Sequence, residues 1–359
     1  MSRGRPQRRH DRHAGRAQRG YSLEKVPATG LLLHADLPCH TGVAVLFHGL
    51  RRVHLSHPRR RRDWYHCRKR PIGRGDRVSH QHGGESEGPQ KSLERMNRFQ
   101  APEAQRLIAE LGLPQGSRGL DVGCGVGLYA LWLAEAVGSA GRVVGIEPEK
   151  ERVEAARALV GGQLESGRLE FRQGDGTRIP LPDRSVDWLW CGDVLHHIVE
   201  TQLALREFRR VVRPGGQIII KESQVLSALF LPGHPELERR IQLAEIRRTL
   251  DEGGGRSFQE RRQTTLASLL AVGLTDVTVR NYLLQRRAPL GAADHDYIQN
   301  TVFTRNWGAR LRELLTPADW DARSALCEPD SPKNILGSPD YFCLYPITVF
   351  HCGSTPAAR

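Results

Sequence analysis

Between residues 98 and 280 short apolar runs alternate with amphipathic stretches, and each apolar run stops at or close to a glycine or an acidic residue. Strands are expected at 118–122 (RGLDV), 142–146 (RVVGI), 168–172 (RLEFR), 186–191 (VDWLWC) and 217–221 (QIIIK). Helical spacing of apolar residues marks 102–112, 128–137, 149–161 and 200–212, and a helix over 261–271 with a strand at 276–280 extends the series. Alternation with links this short predicts a parallel sheet covered by helices on both faces. Ligands of such sheets bind beyond the carboxyl ends of the strands, near the point where strand order reverses. Function is therefore expected at 121–129, 147, 174–177 and 191–198.

The first strand runs into Asp121-Val-Gly-Cys-Gly-Val-Gly127. Gly123, Gly125 and Gly127 let the backbone turn sharply and let a ligand approach without a Cβ in the way. The spacing is GxGxG, which lacks the register of the dinucleotide fingerprint, and no GxxxxGK[ST] is present. Asp121 would crowd a pyrophosphate but can receive an ammonium or a water. Glu147 ends the second strand, where a carboxylate can accept both hydroxyls of a ribose. Asp175 closes the third, where a carboxylate can take an exocyclic amine. Cys124 reads as a small filler of the loop rather than a nucleophile. Trp188 and Trp190 read as packing against the covering helices.

Four separated motifs follow in order: DVGCGVG (121–127) with Glu147, GDGTRIPLPDRSVDWLWC (174–191), DVLHHI (193–198) and RVVRPGGQIII (210–220). Together they resemble the class I S-adenosylmethionine-dependent methyltransferases over roughly residues 100–280. Within that family the resemblance is to the small-molecule group that includes the ubiquinone and menaquinone C-methyltransferases. It implies an α/β, Rossmann-like seven-stranded sheet whose last strand is antiparallel, with helices on both faces. It also implies S-adenosyl-L-methionine as cofactor, held by Asp121, Gly123, Gly125, Gly127, Glu147, Asp175, Gly176 and Asp193. In that set Glu147 serves the ribose, Asp175 the adenine and Asp193 the methionyl part. His196 and His197 lie in the loop over the reaction site and are the candidate catalytic residues, since an unperturbed imidazole titrates near ~6.5. The same pair recurs in the family where no base is needed.

The expected activity is methyl transfer to an oxygen, nitrogen or carbon of a small organic acceptor. A sulfonium is already activated, so no metal is required. Three other readings stay open: a non-catalytic binding protein on the same fold, a methyltransferase that reaches a macromolecule through a basic arm, and a nicotinamide-dependent oxidoreductase, which the glycine spacing disfavours.

Charge bears on the second of these. Of the net +13, all falls in residues 1–95, with 21 Lys and Arg against 8 Asp and Glu; residues 96–359 carry 32 of each. The folded part is thus neutral and has no aromatic-rich basic stripe, which argues against nucleic acid as substrate. Residues 51–95 hold too few apolar side chains to offset ordering the backbone, so 1–95 is expected to be a largely disordered basic extension. It reads as an overextended reading frame with the natural start at Met96, as a poorly structured natural extension, or as an arm for nucleic acid or anionic lipid. No transmembrane run is present, and seven cysteines without a CxxC pair fit a reduced, cytoplasmic chain.

The remaining expectation is a methyltransferase domain over 96–359, with a cover segment at 223–257, an insertion at 281–340 and a closing strand at 342–350. Helices are expected near 306–315 and 317–326. For Tyr297, Asn300, Trp307, Asp340 and Tyr341 the sequence favours surface or insertion core. Arginines in 281–291 and 304–312 favour an acidic acceptor.

Overall fold

The computed structural model describes residues 89–353, apart from 161, 164, 166, 251, 253 and 275. The disorder expected of the basic extension, and Cys39 and Cys67 with it, lie outside the described residues up to residue 88.

The first helix, α1 (Pro89–Glu110), starts ahead of both the expected helix at 102 and the boundary at 96. Leu93, Met96, Phe99, Ala104, Leu107 and Ile108 form one apolar stripe along it and join the larger core cluster. That packing carries the helix through Pro102, which lacks an N–H for the ladder. Residues 89–95 therefore belong to the helix rather than to the extension.

Next come β1 (Arg118–Val122), α2 (Leu128–Ala136), β2 (Arg142–Glu147), α3 (Lys150–Val160), β3 (Leu169–Gln173), β4 (Val186–Gly192), α4 (Thr201–Val211) and β5 (Val212–Ser223). The chain continues through α5 (Pro235–Arg248), α6 (Phe258–Gln263), α7 (Thr265–Ala271), β6 (Thr278–Arg287), α8 (Ala292–Asp296), α9 (Pro317–Cys327) and β7 (Phe342–Gly353). The seven strands lie in the order β3-β2-β1-β4-β5-β7-β6. All neighbours are parallel up to β5, and β7 runs antiparallel to both β5 and β6. Strand order reverses between β1 and β4, so the crevice opens beyond Val122 and Gly192.

Other elements depart from the sequence reading as well, β5 by starting at Val212 rather than at 217. β6 runs to Arg287 because it pairs with β7 over ten registers, so the insertion starts at Ala288 rather than at 281. The expected helix 261–271 breaks at Thr264 into α6 and α7, and a capping box closes α6 at Ser257 and Glu260. Around 306–315 the chain forms a π-helical stretch, Tyr297–Asn306, followed by a 3-10 turn, Ala309–Leu314.

Alternate residues of each strand feed two cores, one on each face. Trp188, Trp190 and Ile219 point to the side of α1, α2 and the insertion, whereas Leu189, Cys191, Ile218 and Ile220 point to the side of α4 and α7. Gly119 is required beneath Trp188, since a Cβ there would lie 2.0 Å from the indole.

Candidate active site

The glycine loop leaves β1 at Asp121 and enters α2 at Gly127, and its three glycines differ in what they do. Gly123 and Gly125 have φ of 72° and 53° and line a cavity of about 510 Å³ beyond the strand ends. The Gly125 N–H donates to Glu147 Oε2 at 3.1 Å. Gly127 does not line the cavity; a Cβ on it would come within 2.8 Å of Phe171 and 2.9 Å of Val160, so its role is to let α2 start against β3 and α3. Cys124 is buried beside Gly145, as expected of a filler, and burial pushes its thiol well above the usual range.

Six acidic residues line the same cavity, the four expected from the sequence together with Glu149 and Glu200. Asp121 is buried at its floor with Oδ2 lacking any partner, and burial, reinforced by Glu147, pushes its carboxyl up to about 8. Glu147 is buried at the end of β2, its pKa raised by burial against the pull of Arg152, 3.4 Å away. Asp175 is exposed, and its Oδ1 accepts from the N–H and hydroxyl of Thr177 at 2.7 and 2.9 Å. Asp193 sits just past β4 with φ of 55°. Burial alone would raise its carboxyl, but the ion pair with Lys221 and an N–H donated by Ser223 hold it below the usual range.

Lys221 was not singled out from the sequence. It is fully buried on β5 and donates to Asp193, to Ser223 Oγ at 2.8 Å and to Gln100 Oε1 at 2.6 Å. Tyr129 donates its hydroxyl to the same Gln100 oxygen at 2.9 Å and stacks on Trp190, which lines the cavity and is buried, as its packing role requires. The only textual signal was charge where a central strand should be apolar: Lys221-Glu222 directly follows three isoleucines.

The two histidines part company. His196 is buried, with Nδ1 2.6 Å from Glu222 Oε2 and Nε2 2.9 Å from Arg262 Nη2. A guanidinium only donates, so Nε2 is the acceptor and Nδ1 carries the hydrogen given to Glu222. Burial, then Arg262, hold the His196 pKa well below the usual value. His197 opens onto the cavity, and burial followed by His196 and Arg262 lowers it to about 3.

A second cavity, about 320 Å³, meets the first at Leu93, Met96, Asp193 and His197. His196 lies in its wall, together with side chains of α1, of α5 and the turn after it, and of the insertion, including Tyr297, Arg305 and Arg310. Trp307 and Tyr341 are core residues of the insertion, and Asn300 and Asp340 are exposed.

The region that builds the first cavity is also the one shared with known proteins. The methyltransferase-domain family matches residues 120–220. That stretch is thus similar to the methyltransferase domain. Methyltransferase GfsG of Streptomyces halstedii is 34% identical over 125 residues, which is 35% of this chain and 44% of that protein. The demethylmenaquinone methyltransferase of Staphylococcus aureus strain MRSA252 is 32% identical over 118 residues, 33% of this chain and 48% of that one. A 37.1 kDa protein of transposon TN4556 in Streptomyces fradiae is 40% identical over 132 residues, 37% of each chain. The chain spans less than half the length of each of these relatives. The matched stretch ends one residue before Lys221, so the buried lysine lies outside it, and of the second cavity's lining only Asp193, His196 and His197 lie within it.

Of the sequence-derived site residues, Asp121, Gly123, Gly125, Glu147, Asp175, Gly176, Asp193 and His197 line one cavity, Gly127 supports it from behind and His196 faces the neighbouring one. Among the described residues no cluster of three or more potential metal ligands is present, and no helix is long and apolar enough to cross a membrane.

Proposed function

We propose that this chain transfers a methyl group from S-adenosyl-L-methionine to a small organic acceptor seated in the second cavity. The observation that carries the reading is the partnerless buried Oδ2 of Asp121 at the floor of the first cavity. A buried carboxylate oxygen without a donor is costly, and the cofactor's α-ammonium is a donor of matching charge. The other residues fit the same group: Glu147 would accept from the ribose hydroxyls, Asp175 has one oxygen uncommitted for the adenine amine, and Gly123 and Gly125 let the backbone approach. When bound, the cofactor supplies a methyl already activated by a sulfonium.

What the chain itself contributes is alignment and exclusion of water where the two cavities join. Lys221, Ser223 and Gln100 fix the Asp193 carboxylate in one orientation at that junction. His197 is a neutral imidazole there, and with a pKa lowered to about 3 it is a poor sink for a proton at neutral pH. His196 has both ring nitrogens engaged and acts by holding Glu222 and Arg262 in place. We place the protein in the cytoplasm, because the described cysteines Cys124, Cys191, Cys327, Cys343 and Cys352 are all free.

Calorimetry with S-adenosyl-L-methionine and with NADH tests the cofactor, and micromolar binding of the first alone is expected. Incubating cofactor-loaded protein with a metabolite pool and screening for gain of one methyl tests the transfer. Cofactor binding with no methylated product would favour the non-catalytic binding protein.

A further inference from the structure

Resting on the methyltransferase reading above, we propose that the acceptor carries an anionic oxygen group, a carboxylate or a phosphate, received by Arg305 and Arg310 in the second cavity. Four arginines line that cavity: Arg248, Arg262, Arg305 and Arg310. Two are already engaged. Arg262 holds His196 and lies 3.9 Å from Glu222, and Arg248 is 3.0 Å from Glu252. Arg305 and Arg310 have no carboxylate within ion-pair distance among the described residues. No residue of the basic run at 281–291 lines that cavity, and Arg286 is taken by Glu103, Asp294 and the Phe99 carbonyl.

The acidic side chains of the cavity do not balance the two free cations. Asp193 is paired with Lys221 and Glu252 with Arg248, while Glu245 accepts from Trp307 and is pushed up toward its neutral form by burial. Arg305 is half-buried, and burial, then the nearby charges of Arg310, Arg152 and Arg248, lower its pKa. Like charges held together over a partly desolvated cavity are unfavourable until an anion enters. The planar guanidinium matches a carboxylate or phosphate with paired hydrogen bonds. Met96, Ile246, Phe258 and Tyr297 supply an apolar and aromatic wall for the body of the molecule. The anionic group at the arginines then leaves the nucleophilic atom of the acceptor to face the junction at Asp193 and His197.

The test uses full-length protein with benzoate, phenyl phosphate and phenol as probes, titrated with and without S-adenosylhomocysteine. At least one anionic probe is expected to bind at least about tenfold tighter than phenol, the ratio that one charge-assisted hydrogen bond supplies. Whether benzoate or phenyl phosphate binds better separates the two anions. Arg305→Gln with Arg310→Gln should erase that preference while leaving affinity for S-adenosylhomocysteine unchanged, which also reports that the variant is folded. Equal binding of phenol, absence of binding by both anionic probes, or an anion preference that survives the double substitution would overturn the proposal. Failure of S-adenosylhomocysteine to bind while the anion preference persists would instead count against the cofactor reading.

Discussion

Asp121 ties the site's chemistry to pH. Its carboxyl is raised to about 8 in the free protein, so below that value it is largely protonated. An ammonium ligand favours the carboxylate, so binding must expel a proton. Affinity for S-adenosyl-L-methionine should therefore rise with pH, by up to about tenfold per unit between pH 6 and 7.5, where an α-amino group of pKa ~7.7–8.0 stays charged. Asp121→Asn should bind more weakly and with a flat profile over that range. Titration calorimetry across buffers of different ionisation enthalpy measures both, and an equally steep profile in the variant would remove Asp121 from the ammonium site. The two histidines give a second contrast. His196→Ala leaves Glu222 and Arg262 without their shared partner and should cost about 1–3 kcal/mol of stability, whereas His197→Ala should leave urea stability nearly unchanged and reduce methyl transfer. Equal loss of stability in both would contradict the division of roles. The sequence made Asp121, Glu147, Asp175 and Asp193 legible because each stands at or near the end of a strand, and did not single out Glu149 and Glu200 in the same wall. It left Lys221, Gln100 and Arg262 out because a buried polar partner is recognised only by what it meets across the sheet. Separations of 121 residues for Lys221–Gln100 and 66 for Arg262–His196 leave no local pattern.

Elements respond on a larger scale. The N-terminal turns of α1 put Ser92 against Thr301, Leu93 beside Gly125 and Arg95 on Asp296 in a 2.9 Å ion pair. A chain starting at residue 96 loses all three, and with Leu93 it loses one wall of both cavities. Compared with a chain starting at residue 89, it should bind S-adenosyl-L-methionine about tenfold more weakly, from loss of roughly one buried leucine contact face and of helix length. Equal affinities would show that α1 needs only its second half. Gly127→Ala tests the helix start. The left-handed φ of 85° costs roughly 1–2 kcal/mol for a residue with a Cβ, and the contact with Phe171 adds about 1–3 kcal/mol of overpacking. Urea denaturation should show the loss, while cofactor affinity of the folded fraction falls much less. Periodicity placed the strands from β1 to β5 within a residue or two, except that β5 starts at Val212 rather than 217. The early start of α1 and the length of β6 escaped it, because one runs through a proline and the other is a two-stranded ladder whose outer residues are exposed.

For the described part of the molecule, the decisive feature is that cavity and insertion share one core. The larger cluster runs from Val143 and Phe171 at one side of the sheet to Trp307 and Leu311 in the insertion, bridged by Phe99, which stacks on Tyr297 at 4.4 Å and meets Tyr345 edge-on at 5.5 Å. No boundary interrupts these contacts, so residues 288–341 are an extension of the sheet's own core rather than a separate unit. Such a chain should unfold in one step. Ligand at a hundred times its dissociation constant should then stabilise every part of it by about 2.7 kcal/mol. The sharpest place to see this is α9, which touches neither cavity but packs into the same core through Cys327 and holds the Phe303 carbonyl through Arg323. Where exchange proceeds by global unfolding, S-adenosylhomocysteine should slow amide hydrogen exchange in α9 by the same factor as in α2, which abuts the first cavity. Protection that rose in α2 alone would mean that the insertion opens independently, and the second cavity would then be a lid's underside rather than a fixed wall.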